Sequence, residues 1–287
     1  MSPSPDPGPL ARAANSSAGR VLLVGAGPGD PELLTIKAAR AIAQADVILI
    51  DDLVNRAVLA HGRRDVRVVA VGKRGGCAST SQSFIERLMV SEARAGRTVV
   101  RLKGGDPFLF GRGGEELARL RREGIAVEVI PGITSGLAAP LAADVSVTHR
   151  DHSPGVIFVT GHEKDETDAR LDWGLLARSG LTLVVFMGVA RAARIQQRLL
   201  AGGLRPATPV AAIQDATLPT QRIARGTLAT LADTLARESI ASPAILVIGD
   251  VSRAVNAVEA RAAERAGGND PTGRASLSPP GHAARAG

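Results

Sequence analysis

Residues 99–116 read VVRLKGGDPFLFGRGGEE. An apolar, β-branched run ends in the basic Lys103. Gly104-Gly105-Asp106-Pro107 follows, then two phenylalanines flanking Leu109, then Gly111-Arg112-Gly113-Gly114-Glu115-Glu116. Five glycines and one proline among residues 103–116 exclude a continuous helix or strand there. The stretch therefore reads as strand, irregular turn, then helix, with Thr98–Leu102 as the strand and Glu115–Glu123 as the helix. Asp106 with Pro107 behind it suits a turn cap, and Gly113-Gly114 suits a helix start. Capping does not explain why Arg112 stands among three glycines, where backbone can approach a ligand closely, so the segment is a candidate site.

The same alternation extends in both directions. Upstream, strands are expected at Val21–Val24, Val47–Ile50 and Val66–Val71, and helices at Pro31–Gln44 and Gln82–Ala95. Asp30 as N-cap and Pro31 at the first helical position mark the start of the first helix. Ala126–Ile130 follows as a further strand. This is the pattern of a parallel α/β sheet. After Thr148-His149-Arg150-Asp151-His152-Ser153-Pro154 a second group follows, with strands at Val156–Thr160, Leu181–Phe186, Val210–Ile213, Gln221–Arg225 and Ala244–Ile248. Helices lie near Ala192–Ala201 and Thr227–Glu238. The short turn through Leu218-Pro219 joins two strands directly, so this second sheet is expected to be mixed. The division is thus a lead-in over 1–19, an N-terminal α/β domain over 20–150, a C-terminal α/β domain over 151–252, and a short helical extension with a tail over 253–287. Both chain ends are rich in Pro, Ser, Ala and Gly without a period and are expected to be disordered. A cleft between the two domains is the default place for a ligand.

Composition removes several function classes. The chain has 287 residues and is 45% hydrophobic, enough to bury real cores. Its one cysteine, Cys77, excludes an intramolecular disulfide and a cysteine-based zinc site, and it reads as a passive thiol. No charged region followed by an apolar stretch opens the chain, and runs such as Leu181–Met187 are too short to span a bilayer. The expectation is a soluble cytoplasmic protein with no membrane partner. Thirty-five basic against 28 acidic residues give a net charge of +7, which points to an anionic partner. Aromatic residues are only 2% with no tyrosine, and the basic residues are scattered, so a nucleic acid is not expected. A polycarboxylate small molecule suits a distributed arginine excess better.

Gly25–Asp30, GAGPGD, imitates a dinucleotide-binding turn, but the third glycine of that fingerprint would fall at Asp30. A pyrophosphate on that helix start would face the Asp30 carboxylate, so a nicotinamide cofactor is not expected. The phosphate-loop string GxxxxGK[ST] is absent. His149 and His152 have no third ligand nearby in sequence and read as loop histidines, and no metal is expected.

With GAGPGD at 25–30, THRDH at 148–152 and FMG at 186–188, the opening stretch resembles one family, the S-adenosylmethionine-dependent tetrapyrrole methylases. The resemblance runs from about Val21 to Val251. It implies a tetrapyrrole methylase-like fold of two α/β domains, a largely parallel N-terminal sheet and a mixed C-terminal sheet with an interdomain cleft. It also implies that the cofactor S-adenosylmethionine, leaving as S-adenosylhomocysteine, is held there by Pro28, Gly104, Gly105, Asp106, Leu109, Thr134, Ser135, Met187 and Ala216. For chemistry the resemblance matches Asp51 to a proton acceptor and Lys73 to a proton donor. It matches Arg112, Glu115 and Arg150 to substrate binding and catalysis. Asp51 and an abnormally perturbed Arg112 are rival proton acceptors. Asp52 stands where the family usually has arginine. Within the family the VGKR, FGRGGEE and THRDH segments look most like the branch acting on uroporphyrinogen III. The implied reaction is then transfer of two methyl groups to carbons two and seven, giving precorrin-2 for sirohaem or cobalamin biosynthesis. A homodimer with no fused dehydrogenase or ferrochelatase is expected. A methylase of a later corrinoid precursor, or a non-catalytic nucleotide- or nucleic-acid-binding α/β protein, are the alternatives.

Overall fold

The computed structural model describes residues 19–72, 80–162 and 171–252. Ten strands form two five-stranded sheets. The first contains β1 (Arg20–Gly25), β2 (Val47–Ile50), β3 (Arg67–Ala70), β4 (Thr98–Lys103) and β5 (Ala126–Ile130), in the order β3-β2-β4-β1-β5. All its pairings are parallel. Helices α1 (Ile36–Ala43), α2 (Gln82–Arg94) and α3 (Gly113–Arg122) connect these strands.

Side chains alternate across each strand, so a sheet covered on both faces must be apolar on both. Leu22, Val24, Ile48, Ile50, Val100 and Leu102 pack under α1, on Ala38, Ala41 and Ile42. Val21, Leu23, Val47, Leu49 and Val99 form the opposite face with Ile85 and Met89 of α2 and Leu120 of α3. Each fully buried Val, Leu, Ile or Met among them contributes about 1.5–3 kcal/mol.

The strand order also locates the site. From β1 the chain crosses to one side to reach β2, whereas from β4 it crosses to the other to reach β5. Turns after neighbouring parallel strands that diverge in this way open a crevice at the strands' carboxyl ends. The turns at this switch point are GAGPGD and GGDP.

One expected helix is split. Asp30 caps only a single 3-10 turn, Pro31–Leu33, by accepting from the Glu32 amide at 2.8 Å. Leu34 is extended, and Thr35 starts α1 afresh by accepting from the Ala38 amide. Thr35, directly before the amphipathic stretch Ile36–Ala43, was the better N-cap.

The second sheet contains β6 (Val156–Thr160), β7 (Thr182–Phe186), β8 (Pro209–Gln214), β9 (Arg222–Thr227) and β10 (Ala244–Ile248), in the order β6-β7-β10-β8-β9. Only β6 and β7 pair in parallel, so the sheet is mixed as expected. Helices α5 (Trp173–Arg178), α6 (Ala192–Ala201) and α7 (Leu231–Arg237) cover one face. The other face receives α4 (Ser135–Ala142), with Ala139 against Val184, Phe186 and Ala211. Helix α4 precedes the expected boundary at Arg150, yet it packs on the second sheet and carries the chain across.

An ion-pair cluster ties the outer strand β3 to its neighbours. Glu92 of α2, 7% exposed, bonds both Arg67 of β3 and Arg97 before β4. Burial alone pushes this carboxyl up, but the two guanidiniums outweigh it and hold it below its ordinary value. A depressed carboxyl stabilises the fold above its unfolded pKa, and that contribution is lost as pH falls through the folded value. The Tm gap between the parent and Glu92→Gln is therefore expected to shrink as pH falls from about 6 to about 3. A constant gap in thermal melts would show that the Glu92 charge contributes nothing.

Candidate active site

Glycine turns at the switch point bring three loops of the first domain together. Gly27 and Gly105 form a two-way backbone bridge, with Gly105 N–H donating to Gly27 O at 2.7 Å and Gly27 N–H to Gly105 O at 3.3 Å. A Cβ on Gly132 would lie 2.2 Å from Gly105 O, so only glycine allows this seam. Gly105 itself has φ +66, and a Cβ there would meet the Ser135 amide and Thr134 Cα at 3.7 Å. Asp106 locks the seam with both carboxylate oxygens, accepting from the Phe108 amide at 2.8 Å and the Gly132 amide at 3.2 Å. Gly104 backs onto Leu53, just after Asp51, where a Cβ would lie 3.1 Å from the Leu53 Cβ.

The second domain closes onto the same loops. Phe186 at the end of β7 packs tilted against Phe110, ring centroids 4.9 Å apart, and lies so close to Gly136 that a Cβ there would sit 2.6 Å from its ring. Met187 follows with φ 53 and a half-exposed side chain. On the other flank, Thr217 Oγ1 accepts from the Asp30 amide at 3.0 Å, and a Cβ on Gly29 would sit 3.2 Å from Ala216 O. Gln221 fixes that turn by accepting from the Thr217 amide and donating to Ala142 O of α4. Gly104, Gly105, Asp106, Thr134 and Ser135 thus lie on touching loops, with the Phe186-Met187 end and the Ala216–Thr217 turn closing on them. Leu109 packs into the core between the domains.

This meeting of loops fits S-adenosylmethionine. Paired glycine backbones give a close main-chain approach for an adenine edge, and the Phe186-Met187 end supplies apolar contact. The Asp106 carboxylate is committed to backbone amides, so it shapes the loop while leaving its negative charge at the seam.

The polar residues fall into separate groups. Asp51, at the end of β2, accepts from Arg101 Nη2 at 2.7 Å and lies 3.8 Å from Lys103 Nζ. Asp52 takes no part in that pairing; its carboxyl fills the space beside Gly72. Arg112 sits at the α3 N-cap in a left-handed conformation, φ 58, with its guanidinium forked on Glu115 at 2.5–3.2 Å. The Glu115 carboxylate pushes Arg112 up from an already high value, which favours a permanent cation over a proton acceptor. Arg150 is exposed on the turn closed by His149 and Ser153, and no contact brings it to Arg112 among the described residues. The rings of His149 and His152 stack 4.5 Å apart. Lys73 and Cys77 lie outside the described residues.

Sequence reasoning missed Arg101, Lys103 and Glu116. Arg101 and Lys103 are two apart on β4 and share a face, where both are buried on α3. Glu116 is 0% exposed and bonds Arg101 at 3.2 Å, Lys103 at 3.3 Å and Gln82 at 3.0 Å. The available signal was a pair of charges at alternate positions of an otherwise apolar strand.

A cavity of about 70 Å³ lies elsewhere, in the second domain, lined among others by His152, Thr182, Thr208 and Arg205, and it includes none of the matched residues. Among the described residues no helix is long and apolar enough to cross a membrane.

A family model described as Tetrapyrrole (Corrin/Porphyrin) Methylases matches residues 20–232. The uroporphyrinogen-III C-methyltransferase of Pseudomonas aeruginosa is 57% identical over 235 residues, covering 82% of this chain and 95% of that protein. Siroheme synthase 2 of Aeromonas hydrophila is 49% identical over 238 residues, covering 83% of this chain but only 50% of that longer protein. Among solved structures, the uroporphyrin-III C-methyltransferase from Thermus thermophilus complexed with S-adenyl homocysteine matches with a TM-score of 0.70 and 42% identity, covering 82% of this chain and 94% of that one.

Proposed function

The chain belongs to the tetrapyrrole (corrin/porphyrin) methylases, and on that premise we propose that it methylates uroporphyrinogen III at carbons two and seven, using S-adenosylmethionine and yielding precorrin-2. The observation that carries this is the meeting of the glycine seam of the first domain with the Phe186-Met187 and Asp215–Thr217 ends of the second. When bound, S-adenosylmethionine supplies an electrophilic methyl on a sulfonium centre.

The chain's own residues do the rest. The seam orients the bound groups, and orientation alone removes a large share of the barrier for a bimolecular transfer. The substrate carries eight carboxylates, and Arg112 and Arg150 are the forks for them, Arg112 by exchanging Glu115 for a substrate carboxylate. Each methylated ring must lose a proton, and Asp51 receives it. Arg101 and Lys103 hold the Asp51 carboxylate next to the loop of Gly104. Lys73 is assigned as the proton donor from the family match alone.

Anaerobic incubation with uroporphyrinogen III and S-adenosylmethionine is expected to give a product two methyl groups heavier, with two equivalents of S-adenosylhomocysteine. No mass change would overturn the assignment, and a single methyl would confine it to one carbon. The product suits sirohaem or cobalamin synthesis, and the proposed compartment is the cytoplasm.

We further propose a homodimer. Helix α4 turns Leu137 and Leu141 outward, 47% and 75% exposed, close to Ile133, and none of the described residues covers this apolar strip. Sedimentation at micromolar concentration is expected to show a dimer; a monomer would refute it.

A further inference from the structure

The Glu116 carboxylate is fully enclosed, yet its Oε2 has no partner among the described residues, and Oε1 takes the bonds from Gln82, Arg101 and Lys103. Burying a carboxylate costs several kcal/mol, which only nearby cations and hydrogen bonds offset. A glutamine could accept the same bonds through one oxygen, so what the carboxylate adds is the negative charge itself. That charge sits against two buried cations whose other anionic partner is Asp51. We propose that Glu116 is a positioning residue for methyl transfer, its charge acting through Lys103 and Arg101 to fix the Asp51 carboxylate beside the cofactor surface. This rests on Asp51 being the proton acceptor.

Among the described residues the charged groups facing Lys103 are Arg101 on its own strand, Asp51 at the end of β2 and Glu116 on α3. Burial lowers the Lys103 pKa first, and Arg101 lowers it further, while Glu116 and Asp51 oppose them. An ammonium with a lowered pKa keeps its charge below that value and loses it as pH rises through it. Removing the Glu116 charge takes away a raising partner, so Lys103 loses its proton at a lower pH and Asp51 loses one of its two holds.

The test is the pH profile of kcat in Glu116→Gln. Its alkaline limb is expected to move to lower pH, with about a tenfold loss relative to the parent on that limb, while S-adenosylhomocysteine affinity and the tetrapyrrole KM stay unchanged. Adding Lys103→Arg, whose guanidinium does not titrate in this range, is expected to restore the alkaline activity. An unmoved limb in a variant that still binds S-adenosylhomocysteine would overturn the proposal, as would a lowered kcat at every pH that Lys103→Arg does not rescue. Should Glu116→Gln fail to fold, Lys103→Arg alone decides. It is expected to extend the parent's alkaline limb upward, and no extension overturns the proposal. Asp51→Asn separates the two levels: wild-type kcat in that variant would remove Asp51 from the chemistry, whereas a lost kcat there with an unmoved limb in Glu116→Gln would remove Glu116 only.

Discussion

S-adenosylhomocysteine is expected to bind with no tetrapyrrole present, and Gly105→Val to weaken that binding by at least about 100-fold, or ~2.7 kcal/mol. The loops that form the surface are already joined by the Gly27–Gly105 bridge and the Asp106 bonds, so little ordering is left for the substrate to induce. The sequence suggests that a side chain at Gly105 would close the slot by bulk. The structure gives a different cause. A Cβ there meets its neighbours at 3.7 Å, an ordinary contact, but φ is +66, a conformation that costs an L residue about 1–2 kcal/mol and a β-branched one more. Valine would rotate the peptide away and break the bridge to Gly27. Asparagine tolerates the left-handed region, so Gly105→Asn is expected to keep most of the affinity. Calorimetric titration of both variants decides the cause: equal losses would favour bulk, and normal binding in Gly105→Val would leave the GGDP loop with a structural role only.

Arg112→Lys is expected to lower single-turnover methyl transfer by about 100-fold while S-adenosylhomocysteine binding stays intact. Arg112 is held in a left-handed turn between glycines, with its fork on Glu115 rather than on any group of the cofactor surface. Lysine keeps the charge and loses the planar pair of donors. Its ammonium would bind one carboxylate oxygen at a time and misplace the macrocycle, and small misplacements cost rate steeply. Arg150→Lys serves as the contrast. Its exposed place on the His149–Ser153 turn predicts weaker substrate binding, by about 1–3 kcal/mol, with a smaller change in rate. Unchanged rates and affinities in both variants would return the two arginines to solvent.

The family match, the two α/β domains and the mixed second sheet were legible in the sequence because each is written in local chemistry. Short continuous apolar β-branched runs, glycine turns and the direct Leu218-Pro219 connection depend on neighbours along the chain. The expected strands lie within a residue or two of β1–β10. Helix α4 was not legible: Ser135–Ala142 is short, apolar nearly all round and carries Pro140, so no amphipathic period announces it. Its place on the second sheet is decided by Phe186 and Ala211, which lie some 50 to 70 residues further on.

The candidate site divides in the same way. Glycines at 27, 104 and 105 and the Asp106-Pro107 turn could be named from sequence, since backbone conformation selects those residue types wherever they occur. Charge partners could not. Glu115 and Glu116 are adjacent and chemically identical, yet a helix turns about 100° between them, leaving Glu115 open on Arg112 and Glu116 sealed beneath β4. Asp51 and Arg101 are 50 residues apart and meet only because β2 and β4 pair in parallel register, Leu49 against Arg101. The sequence by itself determined the fold, the family and the turns that cradle a cofactor. Which cation holds which carboxylate was decided only in the tertiary structure, because burial and distance set electrostatic partnership and neither is a property of local sequence.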